Sequence, residues 1–141
     1  MSFSISPVEH ADRQAIAYGY GDDQRGSEIY DETKAAGLLL NASPFMAGFL
    51  DDVLAKADAP APKLLFAQGQ VANPADPGDL APDACLKLAD FLDARTDTEI
   101  TAAMLASANL DDEELPAALA FMGDLRKLIR AAADHKGLRV E

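Results

Sequence analysis

Asp111–Lys136, DDEELPAALAFMGDLRKLIRAAADHK, is the longest stretch of the chain that reads as one element with a start, a face and an end. Leu115, Leu119, Met122, Leu125, Ile129 and Ala132 recur in steps of three and four, and Phe121 and Leu128 widen the stripe. At 3.6 residues per turn these positions share one side of an α-helix, so a broad apolar face must be covered by other parts of the chain. The stretch is therefore expected to be the centre of the core. Asp111, Asp112, Glu113 and Glu114 crowd its amino end and Arg126, Lys127, Arg130 and Lys136 its second half, the arrangement that the helix dipole favours. Pro116 has no N–H to donate and fits only a first turn, so the helix is expected to begin just before it, with residues 110–114 as the lead-in. Gly137 is expected to close it in a left-handed cap. Glycine inside a helix costs ~1 kcal/mol relative to alanine, so Gly123 points to a close crossing with another backbone or to a small kink.

Working outward, Ser43-Pro44 pairs a capping hydroxyl with a proline suited to the first helical position. Phe45, Phe49, Val53 and Met46, Leu50, Leu54 then form adjacent rows at four-residue spacing, which predicts an amphipathic helix over 43–57 and makes it the natural partner of the last helix. Pro82 opens another helix whose face is Cys85, Leu88, Ala89 and Leu92, and Thr96 with Glu99 has capping-box spacing for a shorter one ending near Ser107. Residues 59–62 read as a proline-alanine linker, 64–67 as a candidate strand and 73–78 as an irregular loop. Before residue 43 the pattern weakens. Residues 2–8 alternate like a short edge strand limited by Pro7, 9–16 are weakly helical, 18–26 form a glycine- and aspartate-rich loop, and 27–36 form a helix. Leu38–Leu40 is too short an apolar run to separate strand from helix end, and residues 138–141 suit a terminal strand.

These elements predict a mainly α fold, an irregular bundle of about four to five helices with room for a small minor β-sheet from the termini and residues 64–70. The chain of 141 residues is expected to form a single acidic domain, with a less regular segment 1–42 packed on a helical core 43–137. One cysteine, Cys85, excludes an internal disulfide and a cysteine-rich zinc framework, and suits a reducing compartment. No basic-then-apolar leader opens the sequence and no apolar run approaches the ~18 residues of a membrane span, so a cytoplasmic protein is expected. The formal charge of -12 repels nucleic acid and anionic lipid, so no nucleic-acid and no membrane partner is expected.

Gly19, Gly21 and Gly26 do not match a dinucleotide fingerprint, and Asp22 and Asp23 would repel a pyrophosphate. Residues 21–32 approach a calcium loop but place Gly21 and Arg25 where oxygen ligands belong. Cys85 sits on an apolar helix face and reads as a core residue, and Ser43 is explained as a cap. Adjacent acids such as Asp51 and Asp52 point ~100° apart on a helix and cannot share a proton. Arg126, Lys127, Arg130, Lys136 and Arg139 are the one positive concentration, explained first by the helix dipole and second as an anion site. The expectation that results is a non-enzymatic interaction or regulatory module, of inhibitor, immunity or adaptor type, that needs no cofactor and binds a basic protein partner. Two alternatives stand beside it. One is a small metal-dependent or acid–base enzyme using Glu9, His10, Asp12 and His135, the scarce histidines and their neighbouring carboxylates. The other is a structural subunit of a homo-oligomer.

Overall fold

The computed structural model describes residues 3–57 and 79–140. Their order is β1 (Phe3–Pro7), α1 (Val8–Gly19), α2 (Asp23–Ala35), β2 (Leu40–Ala42), α3 (Pro44–Lys56), α4 (Pro82–Asp93), α5 (Asp97–Ser107), α6 (Glu114–Ala132) and β3 (Leu138–Val140). The fold is mainly α with a minor sheet, as the patterning predicts, with six helices and one three-stranded antiparallel sheet among the described residues.

α6 is the organising helix. It begins at Glu114, two residues before Pro116, and the Asp111 carboxylate accepts the Glu113 and Glu114 backbone N–H groups at 2.9 and 2.7 Å. Those bonds hold the Asp111 carboxyl below its usual range. Ala118, Met122, Leu125, Leu128, Ile129 and Ala132 are buried, and Leu115, Leu119 and Phe121 pack at the margin. The covering side chains are Phe49, Leu50, Val53 and Leu54 of α3, Cys85, Leu88, Ala89 and Leu92 of α4, Ile100 and Met104 of α5, and Ile5, Leu138 and Val140 of the sheet. Ser43 Oγ accepts the Met46 N–H (3.1 Å) and Thr96 Oγ1 the Glu99 N–H (3.2 Å), so both predicted caps form.

The pairing of helices departs from expectation. α3 packs chiefly on α5, whereas the main neighbour of α6 is α4. Arg126 and Arg130 of α6 also pair with Asp90 and Asp93 of α4 beside this apolar contact, as solvent-exposed ion pairs that add little to it. Gly123 marks no close crossing either, because a Cβ built there meets nothing within 4 Å. Gly123→Ala should therefore raise stability by ~0.5–1 kcal/mol, the difference in helix propensity, read as a higher urea midpoint with an unchanged slope.

The strand expected at a sheet edge is the central one: the order is β2-β1-β3, with Ile5 opposite both Leu40 and Val140. Pro7 is tolerated because its partner Leu138 directs its own N–H and C=O to Leu80 (3.0 and 2.8 Å), leaving the Pro7–Leu138 pair without ladder bonds on that side. The third strand comes from Leu40–Ala42. Residues 64–70, offered for that role, lie outside the described residues, as do the linker at 59–62 and the loop at 73–78.

The segment before residue 43, expected to be the least regular, consists largely of β1, α1, α2 and β2. The loop predicted over 18–26 shrinks because the Asp22 carboxylate accepts the Arg25 N–H (3.0 Å) and starts α2 at Asp23, so Gly26 falls in its first turn against the Tyr18 ring. α2 packs chiefly on α1. Val8, Ala11, Ala17 and Ile29 of this hairpin are buried but stand outside the main core cluster. The hairpin is a small second layer joined to the body through β1, β3 and the turn that precedes β3. Among the described residues no helix is long and apolar enough to cross a membrane.

Candidate functional site

The scarce histidines meet. α1 begins where the chain leaving α6 turns toward β3, and the first free N–H groups of α1, on Val8 and Glu9, donate to the carbonyls of Gly137 (2.9 Å) and His135 (3.1 Å). This joint brings Glu9 Oε2 to 3.2 Å from His135 Nδ1 and sets the His10 and His135 rings edge to face with centroids 5.0 Å apart. The hydrogen bond from His135 holds the Glu9 carboxyl below its usual range. Burial, then the nearness of His135, depresses the basicity of His10, whose Nε2 is buried without a hydrogen-bond partner.

Asp12, the fourth candidate, belongs to another group. Its Oδ1 accepts Arg139 Nη1 at 2.7 Å, while Arg139 Nε and Nη2 bind Asp79 Oδ1 and Oδ2 at 2.8 and 3.0 Å. This two-pronged pairing ties β3, α1 and the residue preceding the Leu80 bridge into one knot, and the Arg139 side chain is only 18% exposed. Asp79 carried no signal in the sequence beyond its place before a helix. Arg139→Ala should cost ~2 kcal/mol of unfolding free energy, reduced from the value of a fully buried pair by the exposure of Asp12, with Arg139→Lys recovering only part because it loses the fork.

The joint makes stability depend on pH with a defined sign. A histidine held neutral by burial binds its proton more weakly folded than unfolded, so the unfolded chain protonates first and stability falls as pH drops below 6.5. Glu9 acts in a lower window: its lowered pKa contributes stability above 4.5 that is lost as pH falls through the lower folded value. Urea unfolding at pH 7 and pH 5 should show a loss of stability in the parent that is smaller in His10→Gln.

As chemistry, the joint offers a carboxylate–imidazole pair beside a second, neutral imidazole. Among the described residues no group of three or more His, Cys, Asp or Glu side chains is placed to hold a metal ion, and Asp12 is turned away to Arg139. The Cys85 thiol is buried, donates to the Leu80 carbonyl (3.4 Å) and is pushed up to about 11 by desolvation, as suits a core residue. A hollow of about 460 Å³ lies between the end of α3 and α5, walled by Ala57, Ile100, Ala103 and Ala106, with Lys56 Nζ at its rim committed to the Ala106 carbonyl (2.7 Å). Its remaining polar groups, Arg95 and Glu99, pair with each other at 3.8 Å.

The arginines of the positive concentration are paired with carboxylates of the same molecule. Arg126 pairs with Asp93, Arg130 with Asp90 and Asp93, and Arg139 with Asp12 and Asp79. These arginines serve as ties between elements, and Arg130 also stands in the last turn of α6, where the helix dipole favours a cation. Comparison with models of known protein families, with curated proteins and with solved structures finds no match.

Proposed function

We infer that the protein is a non-enzymatic interaction or regulatory module whose partner is a protein with a basic surface. The observation that carries the reading is the pairing of Arg126, Arg130 and Arg139 with carboxylates of the same molecule. With those cations ion-paired, Arg126 and Arg130 at the surface and Arg139 largely buried, exposed carboxylates such as Asp22, Asp23, Asp31, Asp112, Glu113 and Glu114 dominate what a partner meets, in a chain of formal charge -12. Such a surface accelerates encounter with a cationic protein and repels anionic ones. Capture experiments from cell extract at ~50 mM salt and again at ~500 mM test it, since the Debye length falls several-fold over that range. A basic protein retained at low salt and released at high salt is the expected result. Retention that ignores salt, or no retention, defeats the reading.

A second reading has one observation in its favour, the convergence of Glu9, His10 and His135 at a solvent-accessible joint. It is an acid–base site in which Glu9 orients the His135 ring. Its test is the pH profile of any activity found, together with metal analysis of the purified protein. An activity unchanged in His135→Gln, in the absence of a stoichiometric ion, removes it.

A further inference from the structure

We propose that the docking surface is the open end of the α1–α2 hairpin, centred on Ile16 and Tyr20, and that its occupant is a cationic amphipathic segment of another protein. This rests on the reading of the protein as a module for basic partners and names the surface that does the binding.

Three observations converge there. Ile16 and Tyr20 stand four residues apart at the end of α1, are 59% and 88% exposed, and are joined by the Tyr20 N–H bond to the Ile16 carbonyl (3.1 Å). Residues at that spacing share a helix face, so the two side chains make one apolar patch. They are not held out by a packing failure nearby, since Tyr18 has its ring laid on Gly26 of α2. The hairpin also lies outside the main core, and α2 leans chiefly on α1, so neither side chain contributes to the body of the fold.

Charge decides the occupant. Away from Glu9 and Asp12, which are committed to His135 and Arg139, residues 13–34 carry five carboxylates against three cations; Arg13 lies one turn before Ile16, and Asp22 and Asp23 follow Tyr20 directly. Arg25 is engaged by Glu28 (3.2 Å) and Glu32 (3.5 Å), so it does little to offset the neighbouring acids. A second copy of this chain would bring the same acidic rim and a second charge of -12 to the contact, and an anionic membrane is repelled for the same reason. A segment with apolar side chains on one face and lysines or arginines beside them matches both parts: it buries Ile16 and Tyr20 while its cations meet the acids of the rim.

The test uses two synthetic probes of equal charge: a helix-forming leucine–lysine peptide and an oligolysine. Each is titrated into the full chain and followed by backbone amide shifts and by affinity at low salt. The leucine–lysine peptide should bind at least tenfold tighter than oligolysine and shift residues 16–23 most. Ile16→Ser with Tyr20→Ser should remove that advantage while the amide spectrum elsewhere is unchanged. Asp22→Asn with Asp23→Asn should weaken both probes, with the asparagine still able to cap α2. Equal binding of the leucine–lysine peptide to the parent and the serine variant, or a footprint elsewhere, overturns this surface and leaves the broader reading standing. No binding of either probe defeats both. Self-association abolished by the serine substitutions would name a second copy as the occupant and overturn the proposal.

Discussion

Gly137→Ala is expected to lower unfolding free energy by ~2–4 kcal/mol, near the upper end for a one-methyl change. Two costs add. Gly137 has φ +105°, where a side chain is strained, and a Cβ built on it falls 2.2 Å from the Leu80 carbonyl oxygen. That oxygen accepts the Leu138 N–H (3.0 Å), while the Leu80 N–H returns to the Leu138 carbonyl (2.8 Å), so making room means breaking the bridge that joins the start of α4 to β3. Gly37→Ala separates the two costs: its φ is +74° but nothing lies within 4 Å, so only the backbone penalty of ~1 kcal/mol applies. The urea midpoints of the two variants measure the difference. Equal losses would mean that Leu80 does not press on Gly137.

Leu128→Ala is expected to cost ~3 kcal/mol, the lost transfer of the side chain plus the cavity left behind. Leu128 is fully buried on α6 within the main cluster. Leu105→Ala on α5, where the side chain is about half exposed, supplies the comparison and should stay within ~0.5 kcal/mol apart from propensity. A small effect at Leu128 would mean that α6 is not the element around which the others pack.

The proposed function follows from where charges end rather than from how many there are. A count of residues leaves a basic stretch at the end of an acidic chain, which reads first as a complement to the helix dipole and second as a site for an anion. In the folded protein the guanidiniums of Arg126, Arg130 and Arg139 meet carboxylates of the same molecule, so the stretch ties α4, α1 and β3 together. Lys127 and Lys136 remain toward solvent, and they are too few to reverse the sign of the surface.

Much of the helical part was legible because local rules decide it. The stripe of α6, the Ser43 and Thr96 caps, the proline starts and the face of α4 each need only a few consecutive residues, and each appears where the spacing places it. The hairpin was less legible for a physical reason: α2 buries only Gly26, Ile29 and Thr33, a face too small to stand out against its polar residues. The Glu9–His135 contact spans 126 positions, and the sequence contained only the scarcity of histidine as a hint of it.

By itself, then, the order of residues determined which stretches after residue 42 become helices, where those start, which side of each is apolar, and the acidity of the whole, because these depend on neighbours within a turn or two. Tertiary structure alone decided that the first strand lies at the centre of the sheet, that α4 rather than α3 is the main neighbour of α6, and that the two histidines share a joint with Glu9. Those outcomes depend on which distant carbonyl, carboxylate or side chain arrives first at a given donor or face, and spacing along a chain carries no record of that competition.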